Sequence, residues 1–337
     1  VHITIKKALE QNRELNDLYE NDESVKKLLD IAMGLEGLPR QASTHACGIV
    51  ITKDPVDTYV PLYVRDNLIS TQYIMTTLEE LGLLKMDFLG LRTLTVIQDT
   101  INLVKQNRGI DVEYDKDMSD PKVYKLWQDG DTVGIFQFES QGITNFMKEL
   151  KPDCLEDIVA GVSLYRPGPM DQIPRYIANK KDPEHAIYTH PALKPILKVT
   201  YGCMVYQEQV MQIVRDLAGY SLGRADLVRR AMGKKKLDVM AKEREYFIHG
   251  QTDENGNIII PGCVRNGIDE QSANKIFDEM AEFAKYAFNK SHAAAYAVVS
   301  YRTAYLKAYY PEEFMAATLN SFLGNLDKVP MYIDECK

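Results

Sequence analysis

The spacing of apolar residues changes twice along the chain, and each change marks a different kind of element. Over the first 33 residues it is helical: Ile5, Ala8 and Leu9 begin one stripe, and Val25, Leu28, Leu29 and Ala32 form another. Asp22-Glu23-Ser24 offers this second stripe a cap, and Gly34 a stop. From Gly37 the texture becomes that of short strands, at 47–52, 58–64 and 68–73, separated by Asp54-Pro55 and Asp66-Asn67 turn signals. A short helix at 75–81 then leads through Gly82 into the apolar run Leu83-Leu84-Lys85-Met86-Asp87-Phe88-Leu89-Gly90-Leu91. From Thr93 the period is helical again, with Leu94, Ile97, Ile101 and Val104 on one face. The spacing predicts an α+β chain, predominantly helical, with a small mixed sheet over 37–91.

The run at 83–91 carries one cation and one carboxylate. In a strand, alternate side chains point to opposite faces, so Lys85 and Asp87 share a face roughly 6 to 7 Å apart. Leu84, Met86 and Phe88 are expected to face a core. Asp87 then stands at the end of a buried strand before a strand-to-helix turn, where a scaffold holds a metal- or phosphate-binding carboxylate without ordering a loop. A half-exposed Lys–Asp ion pair satisfies the same pattern. Arg40 and His45 fall on the loop before the first strand, placed either to reach a ligand or simply to be solvated.

Farther along, Asp115-Lys116-Asp117 has the spacing of a two-metal carboxylate pair, but no apolar strand supports it, and a solvated loop is expected. Residues 134–142 read as a strand ending in polar residues. In Tyr165-Arg166-Pro167-Gly168-Pro169, the prolines and glycine stiffen a turn behind Arg166, either for phosphate or base contact or as a structural corner. The helical stretch from 202 breaks at 219–223, and a second helix carries Arg229 and Arg230 into Lys234-Lys235-Lys236. Such a cationic helix end either grips phosphate or complements the helix dipole. An Asn-Gly signal predicts a hairpin at 253–260, and Ile276, Met280 and Phe283 mark a helix. Asn289, Lys290, Ser291 and His292 then cluster at the start of a helix over 293–310, with Ser291 as its expected cap. One turn along, Tyr296 is placed to stack on a base or sugar, or to join the core.

Composition narrows the class. The 337 residues suffice for two or more cores, and 45% hydrophobic with 26% charged is ordinary for a soluble chain. No apolar stretch approaches the roughly 20 residues needed to span a bilayer, and the start lacks a signal peptide's apolar core, so a cytoplasmic location without membrane contact is expected. Five scattered cysteines give neither a zinc cluster nor a disulfide framework, and packed, reduced thiols are expected. The net charge is −8, yet 224–244 holds eight Lys or Arg against three acids, a local phosphate-binding potential. The chain lacks an initiator Met, opens on a competent helix and stops at Asp334-Glu335-Cys336-Lys337, as a piece excised from a longer chain would.

Five motifs carry a resemblance: 85–95 (Lys-Met-Asp-Phe-Leu-Gly-Leu-Arg-Thr-Leu-Thr), 134–140 (Gly-Ile-Phe-Gln-Phe-Glu-Ser), 165–170 (Tyr-Arg-Pro-Gly-Pro-Met), 229–236 (Arg-Arg-Ala-Met-Gly-Lys-Lys-Lys) and 288–296 (Phe-Asn-Lys-Ser-His-Ala-Ala-Ala-Tyr). In this order the chain, from about residue 38 onward, resembles the catalytic alpha subunit of bacterial DNA polymerase III, the C family of DNA polymerases. The resemblance implies that 1–33 end a thumb, 34–92 form the second half of a polymerase beta-like palm, and 93–337 form most of the fingers. It implies template-directed nucleotide addition to a primer by two-metal chemistry with Mg2+, releasing pyrophosphate. Asp87 matches the third catalytic aspartate, and the other two would precede Val1, so the chain alone is expected to be inactive. By the same resemblance Lys85, Arg229, Arg230, Lys290 and His292 face the nucleotide phosphates, with Asn289 and Ser291 beside them and Tyr296 near the nucleotide. Lys234, Lys235 and Lys236 would meet triphosphate or template. Arg40, His45 and Arg166 stand as candidates for DNA or phosphate contact on their loop and turn positions alone. Implied partners are primer–template DNA, deoxynucleoside triphosphates, a sliding clamp, a proofreading exonuclease and clamp-loader subunits. The rival reading is a nucleic-acid-binding or scaffolding module without chemistry.

Overall fold

The computed structural model describes residues 3–38, 43–65, 67–166, 168–233, 237–284, 286–325 and 327–337, without the side chain of Leu237. The chain divides into two compact units, Val1–Gly90 and Leu91–Lys337.

In the first unit, α1 (Ile5–Gln11), α2 (Arg13–Asn21) and α3 (Glu23–Leu35) follow one another with single-residue breaks. Asn12 and Asp22 each cap the next helix, Asp22 accepting from the Ser24 and Val25 amides as its sequence position suggested. Gly34 does not stop α3, which continues to Leu35, and Leu28 lies off the packed face at 66% exposure. The strand region is β1 (Gly48–Ile51), β2 (Leu62–Arg65), β3 (Leu68–Thr71) and β4 (Leu84–Asp87), with α4 (Met75–Glu80) leading into β4. It is not one mixed sheet. β1 pairs antiparallel with β4, and β2 with β3, as separate two-stranded ribbons.

The expected burial of β4 fails. Gly48 pairs with Asp87, Ile49 with Met86, Val50 with Lys85 and Ile51 with Leu84, so Lys85 and Asp87 do share one face, with Ile49, Ile51, Leu84 and Met86 on the other. That apolar face is open: Leu84 is 57% exposed, Met86 44% and, beyond the strand, Phe88 58%. A two-stranded ribbon has only one neighbour per strand, and among the described residues of this unit only Val60 and Leu78 form buried core.

The second unit is helical and has three apolar clusters. Its mast is α15 (Lys290–Tyr309). Ala293, Ala297, Tyr301 and Ala304 on one side of α15 pack with α6 (Pro121–Asp129), α7 (Gln141–Leu150), α8 (Leu155–Leu164) and α9 (Ile173–Lys181) around fully buried Trp127. Small alanines bring α8 and α15 close, and the large aromatic rings fill the space on either side. Leu306, on another side of α15, joins α5 (Arg92–Arg108), α16 (Pro311–Ser321) and α17 (Val329–Glu335). The third cluster holds α10 (Lys194–Leu197), α11 (Gln207–Ala218), α12 (Leu222–Gly233), α13 (Leu237–His249) and α14 (Glu270–Phe283). The expected hairpin is present as β5 (Gln251–Thr252) and β6 (Ile258–Ile260). In α5, Val96, Ile97, Thr100 and Val104 are buried, and Leu94 is exposed against expectation.

Residues 134–142 form turns rather than the predicted strand. Gly134 and Gln137 both take left-handed backbone angles, φ 80° and 70°, which end extended structure. Glu139 fixes the turn by accepting from the Gly134 amide at 3.0 Å and the Tyr332 hydroxyl at 2.7 Å. Asp115 is structural as well: it accepts from the Tyr301 hydroxyl at 2.8 Å and the Ser119 amide at 2.6 Å. All five cysteines are unpaired, and Cys336 is exposed rather than packed. Among the described residues no helix is long and apolar enough to cross a membrane.

Candidate functional site

Each unit gathers some of the residues singled out above. Arg40 and Lys234, Lys235 and Lys236 lie outside the described residues.

In the first unit the polar face of the β1–β4 ribbon holds His45, Lys85 and Asp87. The Lys85 ammonium donates to Asp87 Oδ1 at 2.5 Å. This hydrogen bond, more than any other cause, holds the Asp87 carboxyl below its ordinary value, so it is anionic at neutral pH. Lys85 is mostly covered while the Asp87 side chain is 44% exposed, so the carboxylate remains open to a ligand. His45 Nδ1 accepts from the Gly48 amide at 2.7 Å and the Cys47 amide at 3.2 Å, and the His45, Cys47 and Asp87 heteroatoms lie within 4.8 Å of one another. Gly48 is the floor of this group. A Cβ there would stand 2.7 Å from Lys85 Cε, 2.9 Å from His45 Nδ1 and 3.0 Å from Asp87 Oδ1, and no larger residue leaves the arrangement as it is. Sequence reasoning passed over both Cys47 and Gly48; strand pairing alone brings them under Asp87.

In the second unit a second group forms where four helices meet. The start of α11 is the joint. Gln207 Oε1 accepts from Arg229 at 3.1 Å, the Gln207 amide donates to the Phe288 carbonyl at 2.9 Å, and its Nε2 reaches the Ala287 carbonyl at 3.0 Å. Glu208 takes the Lys290 amide at 3.0 Å. The first amide of α15 therefore already faces a carboxylate, which fills the anion position expected there. Asn289, not Ser291, caps α15, accepting from the His292 amide at 3.0 Å; Ser291 is simply exposed. The Lys290 ammonium pairs with Glu156 of α8 at 3.1 Å.

The basic stretch is less positive than its composition implied. Asp226 receives both Arg229 and Arg230 at 2.7 Å, one on each carboxylate oxygen. The hydrogen bond from Arg229 is the main reason its carboxyl sits below the ordinary value. Arg224 pairs with Glu243, and Arg244 with Asp278. Helical spacing of three and four residues would have revealed Asp226 beside its arginines. Glu156, Gln207 and Glu208 carry no such signal, because they arrive from other helices.

Along this group runs a ladder of flat groups. The Arg166 guanidinium lies 4.3 Å from the Phe288 ring centre, Phe288 meets His292 edge-on at 5.3 Å, and His292 meets Tyr296 at 4.2 Å. Tyr296 in turn contacts Phe136 at 5.2 Å. Arg166 is exposed and stacks on Phe288, and Tyr296 is half-buried against the core while its partner His292 is exposed. Chemically the group offers two guanidiniums that share the Asp226 carboxylate, with an imidazole and an ammonium contributed by α15.

Comparison with known proteins matches both units. The profile of the bacterial DNA polymerase III alpha subunit finger domain covers residues 93–255, and that of the bacterial DNA polymerase III alpha NTPase domain covers 1–90. The chain is 48% identical over 341 residues to the DNA polymerase III subunit alpha of Thermus aquaticus, covering 99% of this chain and 27% of that protein. It is 45% identical to the same subunit of Borreliella burgdorferi and 43% identical to that of Bacillus subtilis, in each case over 99% of the chain and 28% and 29% of the relative. The chain therefore spans between a quarter and a third of the length of the relatives it matches.

Proposed function

Because the chain belongs to the family of bacterial DNA polymerase III alpha subunits, we propose that it is part of a replicative polymerase core that adds deoxynucleotides to a primer 3′-end. Residues 34–92 contribute to the palm and 93–337 to the fingers, with 1–33 at the end of the thumb. The observation that carries the reading is the Lys85–Asp87 pair on the open polar face above Gly48.

Asp87 suits Mg2+: it is a hard oxygen donor, ionised at neutral pH and solvent-accessible, with one oxygen turned to Lys85. When bound, a metal pair polarises the α-phosphate and stabilises the attacking and leaving oxygens. Lys85 neutralises Asp87 before a ligand arrives and holds its orientation on the strand. When phosphate enters, the ammonium is placed to follow the added negative charge. In the second unit Arg229 and Arg230 present their guanidiniums to the nucleotide phosphates in exchange for Asp226. Lys290 and His292 line the same group, and Tyr296 backs His292.

Primer–template DNA and deoxynucleoside triphosphates are the substrates on this reading, and the clamp, exonuclease and clamp loader the partners. The aspartate pair that the resemblance places upstream is not among these residues, so the 337-residue chain tested alone is expected not to extend a primer. The deciding experiment is primer extension with Mg2+ by a full-length alpha subunit carrying this segment, beside its Asp87→Asn variant. Extension falls by several orders of magnitude while primer–template affinity holds. Extension that survives the substitution refutes the polymerase role of this strand and leaves a nucleic-acid-binding module.

A further inference from the structure

The loop before β1 contains an imidazole held in one orientation by the backbone amides it satisfies. His45 Nδ1 accepts two backbone hydrogen bonds, from Cys47 and Gly48, so that nitrogen carries no proton and is closed to any ligand. In the neutral ring the proton is then on Nε2, as a donor. Among the described residues Nε2 has no hydrogen-bond partner, and His45 is exposed. The loop is tied down next to it, where the Thr44 hydroxyl meets that of Ser70 in β3 at 3.2 Å. The ring is thus oriented by its inner nitrogen beside Asp87 and Lys85, with its outer nitrogen unused.

We propose that His45 is a substrate-contacting residue whose Nε2–H donates to a non-bridging phosphate oxygen beside the Lys85–Asp87 pair. The inference rests on the polymerase reading above and adds a third member to its palm site. Three features favour phosphate as the acceptor. The neighbouring ammonium attracts an anion, a donor with no internal partner remains available to it, and the close packing over Gly48 keeps the imidazole from turning away. A metal role is disfavoured, because Nδ1, the nitrogen nearest Cys47 Sγ at 3.6 Å, already serves two amides. The phosphate belongs either to the incoming nucleotide or to the primer strand. Both are the same chemistry, and the assay separates them.

The test exploits the two nitrogens. In His45→Asn the side-chain oxygen takes the place of Nδ1 and still accepts from Cys47 and Gly48, but nothing replaces Nε2–H. In a full-length alpha subunit this variant is expected to melt with the wild type and to lose roughly 10- to 100-fold in extension efficiency, the range for a hydrogen bond to a charged group. A rise in KM for the nucleotide assigns the contact to the triphosphate; a loss of primer–template affinity assigns it to the strand. Extension within twofold of wild type, in a preparation where Asp87→Asn abolishes it, overturns the proposal and leaves His45 a turn residue. Extension that survives Asp87→Asn refutes the reading beneath it. Should His45→Asn fold poorly, the wild-type protein labelled with 15N-histidine decides: added deoxynucleoside triphosphate or primer–template shifts the His45 Nε2 resonance, and an unmoved resonance overturns the proposal.

Discussion

Replacing Gly48 by alanine inserts one carbon beneath the candidate palm site and changes nothing else in the chain. That carbon would meet Lys85 Cε at 2.7 Å, His45 Nδ1 at 2.9 Å and Asp87 Oδ1 at 3.0 Å. Restoring ordinary contact, roughly 3.5 Å or more between heavy atoms, requires the neighbours to retreat by about 0.5 to 0.8 Å. All three are side-chain atoms above a ribbon open to solvent, so the fold can yield. Overpacking costs about 1–3 kcal/mol in a dense core and less here, while Gly→Ala stiffens the unfolded chain and returns roughly 0.4–1 kcal/mol. The melting temperature is therefore expected to change little. The site is not so tolerant. A misplacement of about 1 Å at reacting groups costs on the order of 100-fold in rate, and the largest of these shifts approaches that. Gly48→Ala should lose about two orders of magnitude in primer extension by the full-length subunit, with primer–template affinity and melting temperature held. Full activity in this variant would refute the claim that the close packing of Lys85, His45 and Asp87 over Gly48 is the working geometry.

Two further outcomes test the second unit. Arg229→Lys keeps the charge but not the fork that grips Asp226 through Nε and Nη2 and reaches Gln207 through Nη1; the KM for nucleotide should rise roughly tenfold or more, with primer–template affinity unchanged, as measured by steady-state extension. Glu313, nearly buried in α16, takes two hydrogen bonds at 2.8 Å from Arg108 of α5, which hold its carboxyl below the ordinary 4.5. A depressed folded value contributes stability that is complete above the unfolded value and fades as pH falls through the folded one. Glu313→Gln should therefore melt below wild type at pH 7, and the gap should close below about pH 4.5.

Much of the helical architecture was legible because it follows from local rules. Asp22 caps α3 and Gly219 ends α11, both from residues within one turn, whereas α6 between Asp120 and Gly130 went unread. The shared face of Lys85 and Asp87 was equally legible, since strand alternation is a property of the backbone. Alternation says which side chains point together but not what covers them, so the expected burial of Leu84 and Met86 failed. At 134–142 two left-handed residues, stabilised by the distant Tyr332 through Glu139, overrode a strand-like composition.

The chain by itself determined many of its helices, the Asp22 cap, the shared face of Lys85 and Asp87 and the motifs that place it in a family, because those depend on neighbours a few residues away. Only tertiary structure decided the sites. It put Gly48 and His45 under Asp87 through the β1–β4 register, and it brought Glu156, Gln207 and Glu208 from separate helices onto Lys290 and Arg229. It also paired Arg224 and Arg244 of the basic stretch with Glu243 and Asp278 on other helices. Charge pairing across helices depends on how their axes pack, and that is settled by the apolar clusters around α15 and α11 rather than by the order of the charged residues.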